Sequence, residues 1–165
     1  MNTVRLSLTA SLFLLATSLL SAAAPKAGDA FPDLGTFGLE GQMPDLKGKV
    51  VVVDFWASWC GPCRQSFPAL QEVYAQFKDK NVVVVGVSLD ESKDDMDKFL
   101  KRSKTEFPIL RDAKGKLAEK LSVQSIPSSF VISPDGKIQA IHVGFGGEKT
   151  KKAYITDIEK ALAKK

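Results

Sequence analysis

Between Val50 and Phe77 the apolar pattern changes period once, and the change falls on the only two cysteines of the chain. Val50 to Trp56 is an apolar run broken by a single acid, Asp54, which predicts a central strand covered on both faces. Phe67, Leu70, Val73, Tyr74 and Phe77 then recur on one helical face. Pro68 lies inside that helix, where its missing amide donor and its clash with the preceding turn predict a kink. Cys60 and Cys63 therefore sit where a buried strand gives way to a helix. At such a position unpaired backbone N–H groups and the helix macrodipole favour negative charge, so a cysteine ionises more readily. Cys60 is expected to be exposed at the first turn, and Cys63, one turn in, to be more buried.

The rest of the chain alternates strand and helix signals without repeats. Arg5, the uncharged apolar stretch Leu6 to Leu20 and the small residues Ser21 to Ala24 predict an export signal at 1–23, cleaved after Ala23, and leave 24–165 as one domain. A retained membrane anchor is the alternative, although the stretch falls short of the roughly 20 apolar residues of a full span. No cysteine stands near that site for lipid attachment. The folded part then faces an oxidising compartment such as the bacterial periplasm. Pro25 to Lys49, rich in Gly, Pro and Asp, predicts an extended arm with a short hairpin. Val82 to Leu89 reads as a second buried strand, Asp94 to Lys104 as a helix, Phe107 to Leu110 as a short strand and Lys114 to Leu121 as a small helix. Ser128 to Ser133 and Lys137 to Val143 flank Pro134-Asp135-Gly136 and predict an antiparallel hairpin. A last helix, Lys149 to Ala163, turns Tyr154, Ile155, Ile158, Ala161 and Leu162 inward. Right-handed crossovers make the first two long strands parallel neighbours, so the fold class is α/β, a mixed sheet with helices on both faces.

Composition narrows the chemistry. With 23 Lys+Arg against 19 Asp+Glu, the net charge of +4 is too small to argue for a nucleic-acid partner. Two cysteines and one histidine, His142, cannot make an all-Cys/His structural zinc site, which takes four ligands. Haem attachment needs a His after the second cysteine, where Arg64 stands. A purely structural bridge over so short a loop would remove little unfolded-state entropy. Trp59-Cys60-Gly61-Pro62-Cys63 is left as a redox motif of the thioredoxin type. Neither a metal nor a cofactor is required, and His142, late in a strand, has no task in the chemistry.

From about Ala27 onward the chain resembles the exported thioredoxin-like proteins of the TlpA/ResA type, relatives of the AhpC/TSA redoxins. Asp54 to Cys63 is nearly the thioredoxin active-site segment, Pro68 matches the family's helix proline, and Ile126-Pro127 followed by Ser128 and Ser129 matches its cis-proline loop. Leu89 to Leu121 looks like the strand and helix inserted in the exported branch. The resemblance implies a thioredoxin-like fold and a thiol-disulfide oxidoreductase in which Cys60 attacks a partner disulfide and Cys63 resolves the mixed disulfide. Asp54, buried among valines, would exchange a proton with Cys63. Pro127 would be cis, although an Ile-Pro bond is otherwise mostly trans, and would turn the backbone of Ile126 toward the cysteines to pair with an extended client. Trp59, Gly61, Pro62 and Gly144 would complete the client-facing surface, with Trp56 as scaffold.

The chain departs from that pattern in two ways. Many TlpA/ResA-like proteins carry Asn at the position of Asp54 and Glu three residues past the second cysteine, where this chain has Ser66; its acid stands where thioredoxin has one. The maturation thioredoxins for cytochrome c carry a Gly-x-x-Gly-x-Pro-Glu loop, replaced here by Val123 to Pro127. Gly61-Pro62 is the thioredoxin dipeptide, and thioredoxin's potential of about −270 mV, against about −120 mV for a strong oxidant, implies a reductant. Expected partners are client proteins with disulfides or cysteine pairs and a membrane electron donor of the DsbD type, the protein itself being a monomer. The alternatives are a disulfide-donating oxidase or isomerase, and a copper-site or cytochrome maturation factor acting on client cysteines.

Overall fold

The computed structural model describes residues 24–164, so the expected export signal at 1–23 lies outside the described residues. Among the described residues no helix is long and apolar enough to cross a membrane. Strands β1 (Val50–Trp56), β2 (Val82–Ser88), β3 (Ile109–Arg111), β4 (Ser128–Ile132) and β5 (Ile138–Val143) form one mixed sheet in the order β3-β2-β1-β4-β5. Helices α1 (Gly61–Phe77), α2 (Lys93–Ser103), α3 (Lys116–Lys120) and α4 (Glu148–Leu162) cover it. The expected α/β architecture is observed.

β1 is buried along its whole length because a strand lies on each side of it and both faces of the sheet are packed. It runs parallel to β2 from Val50↔Val82 to Trp56↔Ser88 and antiparallel to β4 from Val51↔Ile132 to Phe55↔Ser128. Strand alternation divides its side chains between two cores. Val50, Val52 and Trp56 join Phe67, Leu70, Val73 and Phe77 of α1, Met96 and Phe99 of α2, and Tyr154, Ile158 and Ala161 of α4. Val51, Val53 and Phe55 face the other way, onto Leu117 and Ala118 of α3, Leu110 and the arm residue Leu34. Each fully buried Val, Leu, Ile, Phe or Met among them contributes about 1.5–3 kcal/mol relative to exposure. In α4, Ile155 and Leu162 are only partly buried against the first core. α1 continues through Pro68.

Two expectations are corrected. No hairpin forms within Pro25 to Lys49. The segment has one 3-10 turn, Leu34–Thr36, and its bridges go outward, Ala30 to Lys137 and Glu40 to Arg111. An edge strand offers unpaired N–H and C=O groups, and the arm satisfies them at both margins of the sheet instead of pairing with itself. Gly28 and Phe31 donate to Ile138 and Gly136, while Glu40 and Arg111 exchange both backbone bonds. The short strand expected at Phe107 to Leu110 lies later, at Ile109–Arg111. Pro108 has no amide for a ladder, and the Phe107 ring instead packs 5.5 Å from that of Phe67.

Candidate active site

The break between β1 and α1 places both sulfurs. Cys60 is the N-cap of α1, Gly61 and Pro62 form its first turn, and Cys60 and Cys63 are joined as a disulfide. The Cys63 amide donates to Cys60 Sγ at 3.2 Å, one of the helix-start N–H groups turned onto that sulfur. On the other side the Ile126 carbonyl oxygen lies 3.7 Å from Cys60 Sγ. Cys63 is fully buried, as expected, but Cys60 is not exposed: only 5% of its surface remains accessible. Its sulfur is bonded inward to Cys63 and faced by the Ile126 backbone, so the motif shows solvent Trp59, 67% exposed, with Gly61 and Pro62, and neither sulfur.

The turn that presents Cys60 is held by groups the sequence reading passed over. Buried Asp90, just beyond β2, accepts from the Ser58 amide at 2.9 Å, from the Ser58 hydroxyl at 2.6 Å and from the Ser88 hydroxyl at 2.8 Å. Arg64 reaches back from α1 to donate to the Ser58 carbonyl at 3.0 Å. The backbone around Asp90 is fixed in turn by Arg111, which donates to the carbonyls of Asp90 and Glu91 and binds Glu40 of the arm with two nitrogens. The arm and β3 are thereby tied to the cysteine turn. A signal for this was present, since an acid closing a buried strand parallel to the cysteine-bearing strand has little reason to be there without donors to hold.

Asp54 is fully buried on the core face of β1 shared with Val52 and Trp56, and Cys63 belongs to the same core. Its Oδ1 accepts from the Ser129 hydroxyl at 2.6 Å, and Ser129 Oγ lies 2.7 Å from the Tyr154 hydroxyl. Asp54 Oδ2 is buried with no partner. Burial pushes the Asp54 carboxyl up from 3.8 to about 7, against the Ser129 hydrogen bond, which favours the ionised form. The Tyr154 hydroxyl is raised by burial and by the neighbouring Asp54. Ser129 and Tyr154 were not anticipated as site residues; Ser129 shares its sheet face with Asp54 because the two are register partners on β4 and β1.

The Ile126-Pro127 peptide is cis, as the resemblance implied. Gly144 donates its amide to the Pro127 carbonyl at 2.8 Å with φ at +77°, a backbone region that favours glycine, and a Cβ there would meet nothing within 4 Å. Trp56 is buried scaffold, its ring centroid 4.6 Å from that of Phe67 and 5.0 Å from that of Phe99. His142 stands behind the acid: its ring meets Tyr154 edge-on at 4.9 Å and its Nε2 is 3.2 Å from Asp157 Oδ2. Burial lowers its pKa, opposed by Asp157. Among the described residues no group of three or more His, Cys, Asp or Glu side chains is placed to hold a metal ion.

A disulfide at a helix N-terminus, beside a cis-proline loop and with a buried acid in the same core, is an arrangement suited to disulfide exchange. Fold and site together define a thioredoxin-like thiol-disulfide oxidoreductase. Residues 27–141 match the AhpC/TSA family, and the chain belongs to it. It is 33% identical over 140 residues to the thiol-disulfide oxidoreductase ResA of Oceanobacillus iheyensis, covering 81% of this chain and 73% of that one. To the thioredoxin-like protein YneN of Bacillus subtilis it is 38% identical over 122 residues, 71% of each chain. A crystal structure from Chlorobium tepidum, described as a thiol:disulfide interchange protein DsbE, superposes with a TM-score of 0.78 at 41% identity, covering 85% of this chain and all of that one.

Proposed function

We propose that this protein is an exported, monomeric reductant of protein disulfides. Reduced Cys60, as thiolate, attacks one sulfur of a client disulfide, forming a mixed disulfide and releasing the other client sulfur. Cys63 gives its proton to Asp54, directly or through a water, and its sulfur attacks Cys60 Sγ. The client sulfur leaves with the bonding pair and takes up a proton, so the client is reduced by two electrons and Cys60–Cys63 is oxidised. A membrane electron donor of the DsbD type returns those electrons, since an oxidising compartment cannot.

The observation that carries this reading is the Cys63 amide directed onto Cys60 Sγ at the start of α1. The same donor, with the helix dipole, stabilises the Cys60 thiolate, which makes Cys60 the attacking sulfur. A carboxyl near 7 inside the same core suits proton exchange with Cys63 at neutral pH. The open space over Gly144, the exposed Trp59 and the Ile126 backbone next to Cys60 suit an extended client strand laid across the pair. The direction of electron flow rests on Gly61-Pro62, the dipeptide of thioredoxin. Equilibration against a glutathione or dithiothreitol buffer measures the potential. A value near about −270 mV supports a reductant, and one above about −180 mV overturns it in favour of an oxidase or isomerase.

A further inference from the structure

The buried acid has unusual company. Asp54 lies opposite Gly86 on β2 and Ser129 on β4, and its core face carries Cys63 of α1 and Tyr154 of α4. His142 on β5 and Asp157 on α4 stand behind the Tyr154 ring and pair with each other. No lysine or arginine among the described residues pairs with Asp54; Ser129 is its one hydrogen-bond partner. A hydroxyl has a single proton, so when Ser129 donates to Asp54 the proton between Ser129 and Tyr154 must come from Tyr154.

We propose that Ser129 and Tyr154 are positioning residues for Asp54. Tyr154 donates to Ser129, Ser129 donates to Asp54 Oδ1, and this one-way chain leaves Oδ2 as the oxygen that takes and returns the Cys63 proton. The chain supplies the ionised carboxylate with its only donor in a site without a cation, and hydrogen bonds in series polarise one another. It also fixes the carboxyl plane: the hydroxyls come from a central strand and from a fully buried residue of α4, so Oδ2 has one orientation. The catalytic half of this statement rests on Asp54 serving as the proton acceptor; the chain of donors does not.

The test is a titration of the Asp54 side-chain carboxyl by its carbon-13 chemical shift in the oxidised protein, for wild type, Ser129→Ala, Ser129→Thr and Tyr154→Phe. Losing a hydrogen bond to the charged form moves the Ser129→Ala midpoint alkaline by about one pH unit. Tyr154→Phe moves it the same way by less, and Ser129→Thr, which keeps the hydroxyl, restores the wild-type midpoint. The pH profile of mixed-disulfide resolution moves in parallel. A purely structural role would lower stability and leave the midpoints where they are. Unmoved midpoints in folded Ser129→Ala, or in Tyr154→Phe if Ser129→Ala does not fold, overturn the proposal. If Asp54→Asn resolves mixed disulfides with the wild-type pH profile, the proton role of Asp54 fails separately, and the carboxyl titration still decides the donor chain.

Discussion

The Asp90 carboxylate holds Ser58 by two groups at once, the amide at 2.9 Å and the hydroxyl at 2.6 Å, two residues before the Cys60 N-cap. Breaking this contact strands a part-buried amide next to the redox turn. Asp90→Ala is expected to lower stability by about 2–4 kcal/mol, since hydrogen bonds to a charged group carry about 1.5–3 kcal/mol each. Ser58→Ala keeps the amide bond and loses one bond to the carboxylate, so it should cost about 1.5 kcal/mol. Denaturant unfolding of the oxidised proteins gives both values, and disulfide-reduction rates should fall in the same order.

Asp54 sets a pH dependence of stability. Its folded value of about 7 lies above its ordinary 3.8, so the folded protein keeps a proton that the unfolded chain has released. Stability from this group is complete below about pH 4, falls as pH rises toward 7, and levels off above. Asp54→Asn removes that slope. Relative to wild type, the variant should gain stability between pH 4 and pH 8 by a difference on the order of 4 kcal/mol, read from denaturant midpoints across the range. An equal slope in the two proteins would contradict the burial account.

Gly86 lies opposite Asp54 in the sheet, and a Cβ there would stand 2.7 Å from Ile109 Cδ1, 3.1 Å from Trp56 Nε1 and 3.2 Å from Phe107 Cε2. Gly86→Ala is therefore expected to cost about 1–3 kcal/mol by overpacking. Thermal and denaturant unfolding should both report it.

At Gly144 the conflict is with the backbone, since the space above it is open while φ is +77°. Gly144→Ala should cost roughly 1–2 kcal/mol. If a client strand lies across Gly144 as proposed, a larger side chain should slow the reduction of a protein disulfide more than that of a small-molecule disulfide. Parallel rate measurements with the two substrates separate the effects.

Much of this was legible in the chain because it follows from period and position. The run from Val50 to Trp56 is apolar on both faces, so it had to be central; the helical face from Phe67 to Phe77 had to start after the cysteines. Cys60, Cys63 and Asp54 came from residue type at those places, and Pro127 from a resemblance. What was not legible depends on contacts far apart in sequence. Asp90 meets Ser58 across 32 positions, and Ser129 meets Asp54 across 75. The arm has turn residues suited to a hairpin, yet the open margins of the sheet compete for its backbone groups and win. The burial of Cys60 likewise comes from Ile126, 66 residues away.

Trapping distinguishes the proposed tasks of the two sulfurs. Cys63→Ser, reduced and mixed with a disulfide-containing protein, should accumulate a mixed disulfide on Cys60 that persists because no resolving thiol follows. Cys60→Ser, which keeps only the fully buried sulfur, should accumulate almost none. Equal adduct on Cys63 in the second variant, or none in the first, would contradict the assignment of Cys60 as nucleophile and Cys63 as resolver.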